Sequence, residues 1–331
     1  MAKPPPDMGG AGRVVVVGSF NVDHAWHPEA LPRPGETVAG HYATGPGGKG
    51  FNQAVAAARA GAATTFVCAL GDDDGGALAR SLARDEGIEL HAAKGCRPTG
   101  TAGIFVDAGG RNSIVVGAGA NAELDAAFLD THAAAFDGAA VVLVQLESPC
   151  ETVLAALRHG RAAGAATVLN PAPAGLTPGE RDALLAQVDV LTPNESEFAS
   201  LLGPGADVDA DAVAGIDDAA LHALCRRLLP HGTVVVTLGA AGAFVSHGDA
   251  ALHGDAEACY RVPAGDAAVV DTTGAGDAFN GALAAGLSRD PGRFGEGVRF
   301  AARFAALSTE RKGAASAMPT LDEVEERYRE L

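Results

Sequence analysis

With 331 residues, 47% of them hydrophobic and 20% charged, the chain is long enough to bury a sizeable core as one large α/β domain or two smaller ones. Its formal net charge of −17 excludes partners that need a basic face, nucleic-acid backbones and anionic membranes among them. Small anions remain open, since a helix N-terminus and a divalent cation can hold phosphate locally. The five cysteines are scattered without CxxC or Cys/His spacing, which argues against structural zinc and a disulfide framework and for reduced thiols in a cytosolic protein.

Residues 1–12 are rich in Pro and Gly and lack an apolar core, so a frayed leader is expected there rather than a signal peptide. No apolar run reaches the ~20 residues of a spanning helix. Residues 13–18 are a Val-rich run ending in Gly, the mark of a buried parallel strand. An Ala-rich helix follows over 49–61, then a strand over 64–70 and a helix near 75–87. Further strands are predicted over 140–146, 167–170, 188–192 and 233–238, with helices at about 124–136, 151–164, 194–202 and 217–230. Helices at about 275–288, 293–309 and 320–330 complete the chain. This alternation implies right-handed βαβ crossovers and a mostly parallel sheet covered on both faces. Two stretches break the rhythm: residues 22–46, rich in Pro, Gly and His, and residues 99–117, two short strands around the turn at 108–111. Both suit a small β lid over the strand ends, within a single domain spanning 13–331.

The segment Asp271-Thr272-Thr273-Gly274-Ala275-Gly276-Asp277 precedes a helical run. Glycines just before a helix leave backbone N–H groups uncrowded, an anion hole at the positive end of the dipole. Asp277 beside such a hole either caps the helix or faces an attacking hydroxyl while the N–H groups face a phosphoryl group. A second glycine-opened helix starts at Gly45-Pro46-Gly47-Gly48-Lys49-Gly50-Phe51-Asn52. It lacks the spacing and hydroxyl of a Walker A loop, so it is either a plain turn or a close backbone approach to a polyhydroxy ligand, with Lys49 and Asn52 as hydrogen-bonding groups. The Gly-x-Gly match at 117–122 follows the lid strands and not a βαβ unit, so a dinucleotide site is set aside.

Gly18-Ser19-Phe20-Asn21-Val22-Asp23 lies at the carboxyl end of the first strand, where open α/β sheets bind ligands. Asn21 and Asp23 point the same way if extended and would clamp vicinal hydroxyls; a solvated loop is the alternative. In Thr192-Pro193-Asn194-Glu195-Ser196-Glu197, Asn194 and Glu197 share one face of a first helical turn. They are either oxygen ligands near Mg²⁺ or a capping box. Glu147 ends the strand over 140–146, where a sugar-facing carboxylate would fit, and Gly239 after Thr237 would allow close approach of a nucleotide.

Together these motifs resemble the ribokinase branch of the PfkB carbohydrate-kinase family over residues 14–319. The matching segments are Gly47-Gly48-Lys49-Gly50 with Asn52, 271–277, 18–24, 34–38, 52–57, 145–149, 169–173 and 192–195. The resemblance implies a ribokinase-like three-layer α/β fold with a small β lid, and transfer of a phosphoryl group from ATP to a sugar, ribose first and then a ketose, a sugar acid or a nucleoside. A catalytically silent sugar-binding protein is the alternative from another class. It implies Asp277 as proton acceptor and Gly274, Ala275 and Gly276 as anion hole. Asn21, Asp23, Gly48, Lys49, Asn52 and Glu147 would hold the sugar. Asn194, Thr237, Gly239, Gly242 and Gly276 would contact ATP, with Glu197 organising Mg²⁺. An activating K⁺ would sit near Asp271, Thr273, Ser308, Arg311, Gly313 and Ala317, partly through backbone carbonyls. Ala317 stands where such proteins often have Ser, and Phe51 where a small residue is common, so an altered cation shell and a reshaped sugar loop are expected. A homodimer through the lid is also implied.

Overall fold

A computed structural model describes residues 12–206 and 208–329. The predicted leader lies outside them except for Gly12, whose N–H donates to the Ser288 carbonyl at 3.0 Å. In chain order the elements are β1 (Arg13–Val17), β2 (Asn21–Pro28), β3 (Gly40–Gly47), α1 (Lys49–Arg59), β4 (Thr64–Leu70), α2 (Asp74–Asp85), β5 (Glu89–Lys94), β6 (Gly100–Val106) and β7 (Asn112–Gly117). There follow α3 (Ala126–Thr131), β8 (Ala139–Val144), α4 (Cys150–Ala162), β9 (Ala166–Leu169), α5 (Pro178–Leu185), β10 (Val190–Leu191), α6 (Glu195–Leu202) and α7 (Asp218–Leu228). The last are β11 (Thr233–Thr237), β12 (Ala243–His247), β13 (Cys259–Val262), α8 (Ala275–Arg289), α9 (Phe294–Ser308) and α10 (Leu321–Tyr328).

Nine strands form one sheet in the order β13-β12-β11-β10-β9-β8-β1-β4-β5, parallel from β11 to β5 and antiparallel at β12 and β13. The alternation along β1 shows why the run is apolar throughout. Val14 and Val16 pack with α1, α8 and α9 on one face, and Val15 and Val17 with α4, α6 and α7 on the other. The result is a three-layer α/β sandwich. From β1 the chain winds outward through β4 and β5, then returns to β8 on the other side of β1 and winds the opposite way. A crevice therefore opens at the carboxyl ends of β1 and β8, where the order reverses and ligands of open α/β sheets bind.

The two stretches that broke the βαβ rhythm make a separate four-stranded sheet, β3-β2-β6-β7, joined by antiparallel β2–β3 and β6–β7 pairs and a parallel β2–β6 pair. It rises directly from the site: β2 starts at Asn21 and β3 ends at Gly47. Among the described residues, no helix is long and apolar enough to cross a membrane.

Close packing of α1 on α8 places the two glycine-opened helices side by side. Both faces are small: Ala56 and Ala57 on α1, Ala278 and Ala282 on α8. Gly281 decides the distance, since a Cβ there would lie 2.4 Å from the Gln53 carbonyl oxygen and 2.5 Å from the Ala56 methyl. Phe51 turns inward, beneath the glycine loop. It is 1% exposed and packs edge-on against Phe20, with centroids 5.1 Å apart, and against Phe66. It fills the core beneath the loop.

Candidate active site

Both helices begin at a glycine in the left-handed region without a side-chain cap, Gly48 at φ 88° and Gly274 at φ 75°. Their first N–H groups meet different fates. At α1 the Lys49 N–H donates to Glu147 Oε2 at 2.9 Å, the Gly50 N–H to Ser19 Oγ at 3.3 Å and the Phe51 N–H to the Ser19 carbonyl at 2.9 Å. Ser19 Oγ in turn donates to Glu147 Oε2 at 2.5 Å. At α8 the Ala275 N–H donates to the Thr272 carbonyl at 3.2 Å and the Ala278 N–H to Gly274 at 2.8 Å. The Gly276 and Asp277 N–H groups have no acceptor among the described residues, and a Cβ on Gly276 would meet nothing within 4 Å. Of the predicted anion hole, the Ala275 donor is therefore engaged and the next two are open.

Asp277 does not cap its helix. It sits in the first turn of α8, 6% exposed, with Oδ2 accepting from Asn52 Nδ2 and Oδ1 from Gln53 Nε2, each at 2.9 Å. Burial pushes its pKa above the usual carboxylate range; the Lys49 ammonium and the two amide donors pull against that. Burial works against the Lys49 ammonium too, but Asp277, Glu147 and Glu197 around it raise its pKa. Asp23 is raised to about 6 by burial, then by Glu147 and Asp277. Three carboxylates thus converge on one lysine at the mouth of the crevice. Asn52 Oδ1 is buried with no partner among the described residues, an acceptor kept for something else.

The profile of pfkB family carbohydrate kinases matches residues 11–321. The chain belongs to the pfkB family of carbohydrate kinases. It is 35% identical to a ribokinase of Haemophilus influenzae (strain ATCC 51907 / DSM 11121 / KW20 / Rd) over 94% of this chain and 96% of that one. It is also 35% identical to a bifunctional ribokinase/ribose-5-phosphate isomerase A of Fructilactobacillus sanfranciscensis, of which it spans about half, 55% of that length. The solved ribokinase of Arabidopsis thaliana, complexed with ribose and ATP, superimposes with a TM-score of 0.77 at 32% identity, covering 96% of this chain and 98% of that one.

Within this carbohydrate kinase the other predicted residues fall into three groups. Asn21 is buried, but its Oδ1 accepts from Asn121 Nδ2 at 2.9 Å, and Asn121 also bridges the Phe20 N–H and carbonyl at 3.0 Å each. Asn121, from the set-aside glycine match, is thus a brace for the clamp, and only its Asn-in-a-glycine-turn setting hinted at it. Gly47 lies against the Asp23 carboxylate, 2.2 Å from a Cβ built there, so the lid strand β3 leaves room for that group.

Asn194 and Glu197 form a full capping box on α6: Asn194 Oδ1 accepts from the Glu197 N–H at 2.8 Å, and Glu197 accepts from the Asn194 N–H at 2.9 Å and from Nδ2 at 3.1 Å. Of the two readings of this pair, the cap is the one formed. Thr237 bridges to Asn194 at the ends of β10 and β11, and Gly239 opens onto empty space. Gly242 is required by the backbone, since a Cβ there would lie 2.0 Å from the Val262 carbonyl oxygen.

The cation residues come together in part. Asp271 accepts from the Thr273 N–H at 2.9 Å, Thr273 Oγ1 at 2.7 Å and the Gly313 N–H at 2.9 Å, tying the two loops beside the anion hole. Ser308 Oγ donates to the Ala305 carbonyl, and the Arg311 side chain turns away to Glu323 at 2.6 Å. Ala317 is buried in a tight turn and brings no side-chain oxygen. Among the described residues no three His, Cys, Asp or Glu side chains gather for a metal.

Proposed function

We propose that the protein phosphorylates D-ribose at the 5-hydroxyl, with ATP as donor and ADP and D-ribose 5-phosphate as products. The observation that carries this is Asp277. A buried carboxylate held by two amides stands beside two open N–H groups at a helix N-terminus. A base and an anion hole within one helical turn are what phosphoryl transfer to a hydroxyl needs. The sugar specificity is drawn from the ribokinase relatives and the ribose-bound structural neighbour.

The sugar lies over α1, its hydroxyls on Asp23, the Asn52 Oδ1 acceptor and the Glu147 edge, with Asn21, Gly48 and Lys49 closing the ring. The hydroxyl oxygen attacks the γ-phosphorus, the bond to the β–γ bridging oxygen breaks, ADP departs with that electron pair, and the hydroxyl proton passes to Asp277. Because the transition state is loose, orientation and charge stabilisation count for more than base strength. The Gly276 and Asp277 N–H groups and the Lys49 ammonium meet the charge on the transferred group.

Mg²⁺ arriving with the nucleotide would neutralise phosphate charge. Glu197 would reach it directly or through water, each carboxylate oxygen keeping a lone pair beyond the one bond it accepts in the cap. For K⁺ the loops tied by Asp271 offer backbone carbonyls and no carboxylate cluster, a donor set that suits a large monovalent ion. The lid carries exposed Tyr42, Ile114, Val115 and Val116, 47% to 68% accessible, which supports a homodimer through this sheet. The free cysteines support a cytosolic setting.

The test is ADP release with Mg·ATP on ribose, deoxyribose, fructose, 2-keto-3-deoxygluconate and adenosine, each with and without K⁺. Fast turnover on ribose, raised by K⁺, is expected. Turnover on another sugar alone overturns the substrate, and sugar binding without any turnover overturns the kinase.

A further inference from the structure

The base is held by a chain of buried amides that reaches across the sheet ends. Gln53 is 0% exposed, and its Nε2 donates both to Asp277 Oδ1 at 2.9 Å and to Asn170 Oδ1 at 3.1 Å. Its Oε1 accepts from Gln145 Nε2 at 2.6 Å. Asn170 Nδ2 donates onward to the Thr192 carbonyl at 3.1 Å. A second arm closes on the anion hole: Thr192 Oγ1 donates to Asn280 Oδ1 at 2.5 Å, and Asn280 Nδ2 to the Gly276 carbonyl at 2.8 Å.

The polarity of this chain follows from one group. An ionised carboxylate only accepts, so Gln53 must turn its NH₂ toward Asp277 and its oxygen toward Gln145. Gln145 must then donate, which leaves its Oε1 over Gly18, where a built Cβ would lie only 2.1 Å away. Gln53, Gln145 and Asn170 are thus oriented for a charged Asp277, at the cost of leaving Gln145 Oε1 buried without a partner among the described residues.

We infer that Gln53 is a positioning residue for Asp277, fixing the carboxylate's rotamer and favouring its ionised form. The inference rests on the kinase reading above. The other groups facing this carboxylate are Lys49 on α1, Glu147 after β8, Asp23 on β2 and Glu197 on α6. Lys49 is the one cation among them. The Asn52 and Gln53 amides add to Lys49 in favouring the charged form against burial.

The test uses Gln53→Met, which keeps the volume and the helix while removing both donors. The Asp277 carboxyl is followed by ¹³C NMR titration, and kcat and KM for the sugar are measured against pH. Loss of a hydrogen bond to the ionised form is expected to raise the Asp277 pKa by about one unit, shift the acid limb of kcat with it, and lower kcat at least tenfold, with KM within about threefold. Gln145→Met, which leaves the Gln53–Asp277 contact but not its orientation, is expected to move both in the same direction by less, and it carries the test if Gln53→Met does not fold. An unchanged titration, or kcat and KM rising or falling together, overturns the inference. Because the titration needs no turnover, an inactive wild-type protein sinks the kinase reading without deciding this one.

Discussion

The helices α1 and α8 open alike, on a positive-φ glycine without a side-chain cap, and differ in what the rest of the chain brings to them. At α1 a carboxylate, Glu147, and a hydroxyl, Ser19, take the first N–H groups, so the positive end of that dipole is occupied. At α8 no acceptor among the described residues reaches the Gly276 and Asp277 N–H groups. A helix end already holding an anion repels a second one and suits a neutral polyol; an empty one suits a phosphate. The same local sequence signature thus yields two chemistries. The choice is made by the residues that follow β1 and β8, the strands at which the sheet reverses.

The largest break in this comparison comes from the base. Asp277→Asn is expected to lower kcat by about 10²–10⁴-fold, the range for loss of a positioned general base, while calorimetry shows sugar affinity within a few-fold of wild type. Burial already works against this charge, which offsets the mismatch of the new amide NH₂ against the Asn52 or Gln53 donor, so the fold is retained. Near-normal turnover would remove Asp277 from the mechanism.

A single methyl or isopropyl group distinguishes the two helix ends next. Gly276→Val places its side chain in open space and is expected to leave the melting temperature unchanged, yet to cost about a hundredfold in kcat by filling the anion hole. Gly50→Ala places a Cβ 2.5 Å from the Ser19 nitrogen and is expected to cost about 1–3 kcal/mol of stability through overpacking. If both variants lose stability, or both only activity, the two ends are not the opposites described here.

Filling at α1 can itself be weakened. Glu147→Gln is expected to raise the sugar KM about tenfold, the worth of one charge-assisted hydrogen bond, and to cost about 1 kcal/mol of stability because Lys49 keeps a poorer acceptor. Isothermal calorimetry and thermal melts check the two parts separately. Unchanged KM with lost stability would make Glu147 a cap and nothing more.

The architecture was readable because its signals are local. The strand Thr64–Leu70 and the lid strand Asn112–Gly117 fall where their β-rich runs lie, and the βαβ alternation implies the parallel sheet. What escaped was the antiparallel end of the sheet, where β12 is fully buried but follows β11 without a crossover helix, and elements that are short or exposed. β5 is an edge strand of mixed residues, mostly only half-buried, without the apolar run that marks a buried strand. α5 spans eight residues, marked in the sequence by the Thr177–Glu180 capping box and by Pro178 at its first position. In the site, motif residues such as Asp277 and Asn52 were legible one by one. Their contact, across 225 residues, depends on Gly281 letting α1 and α8 approach. The roles of Gln53, Ser19 and Asn121 could not be read before that packing is known, since each acts on a neighbour contributed by a distant segment.

The smallest expected effect belongs to Asp23, on the sugar side of the comparison. Burial, then Glu147 and Asp277, raise its folded pKa to about 6, above the ordinary value of an aspartate. Above pH 6 the unfolded chain ionises this group freely, while the folded, ligand-free protein must hold the charge half-buried beside Glu147 and Asp277. Its contribution to stability is therefore full below about pH 4 and is lost as pH rises through 6. Asp23→Asn is expected to raise the melting temperature at pH 8, by the equivalent of about 1 kcal/mol once solvent screening of a partly exposed group is counted, and to leave it unchanged at pH 4. The same charge accepts sugar hydroxyls, so in the wild-type protein KM should climb as pH falls below 6, and in the variant it should be high and flat. Melts at the two pH values with KM across the range read both halves. A variant that gains stability at pH 8 yet keeps the wild-type KM profile would show that Asp23 bears its charge for some other ligand than the sugar.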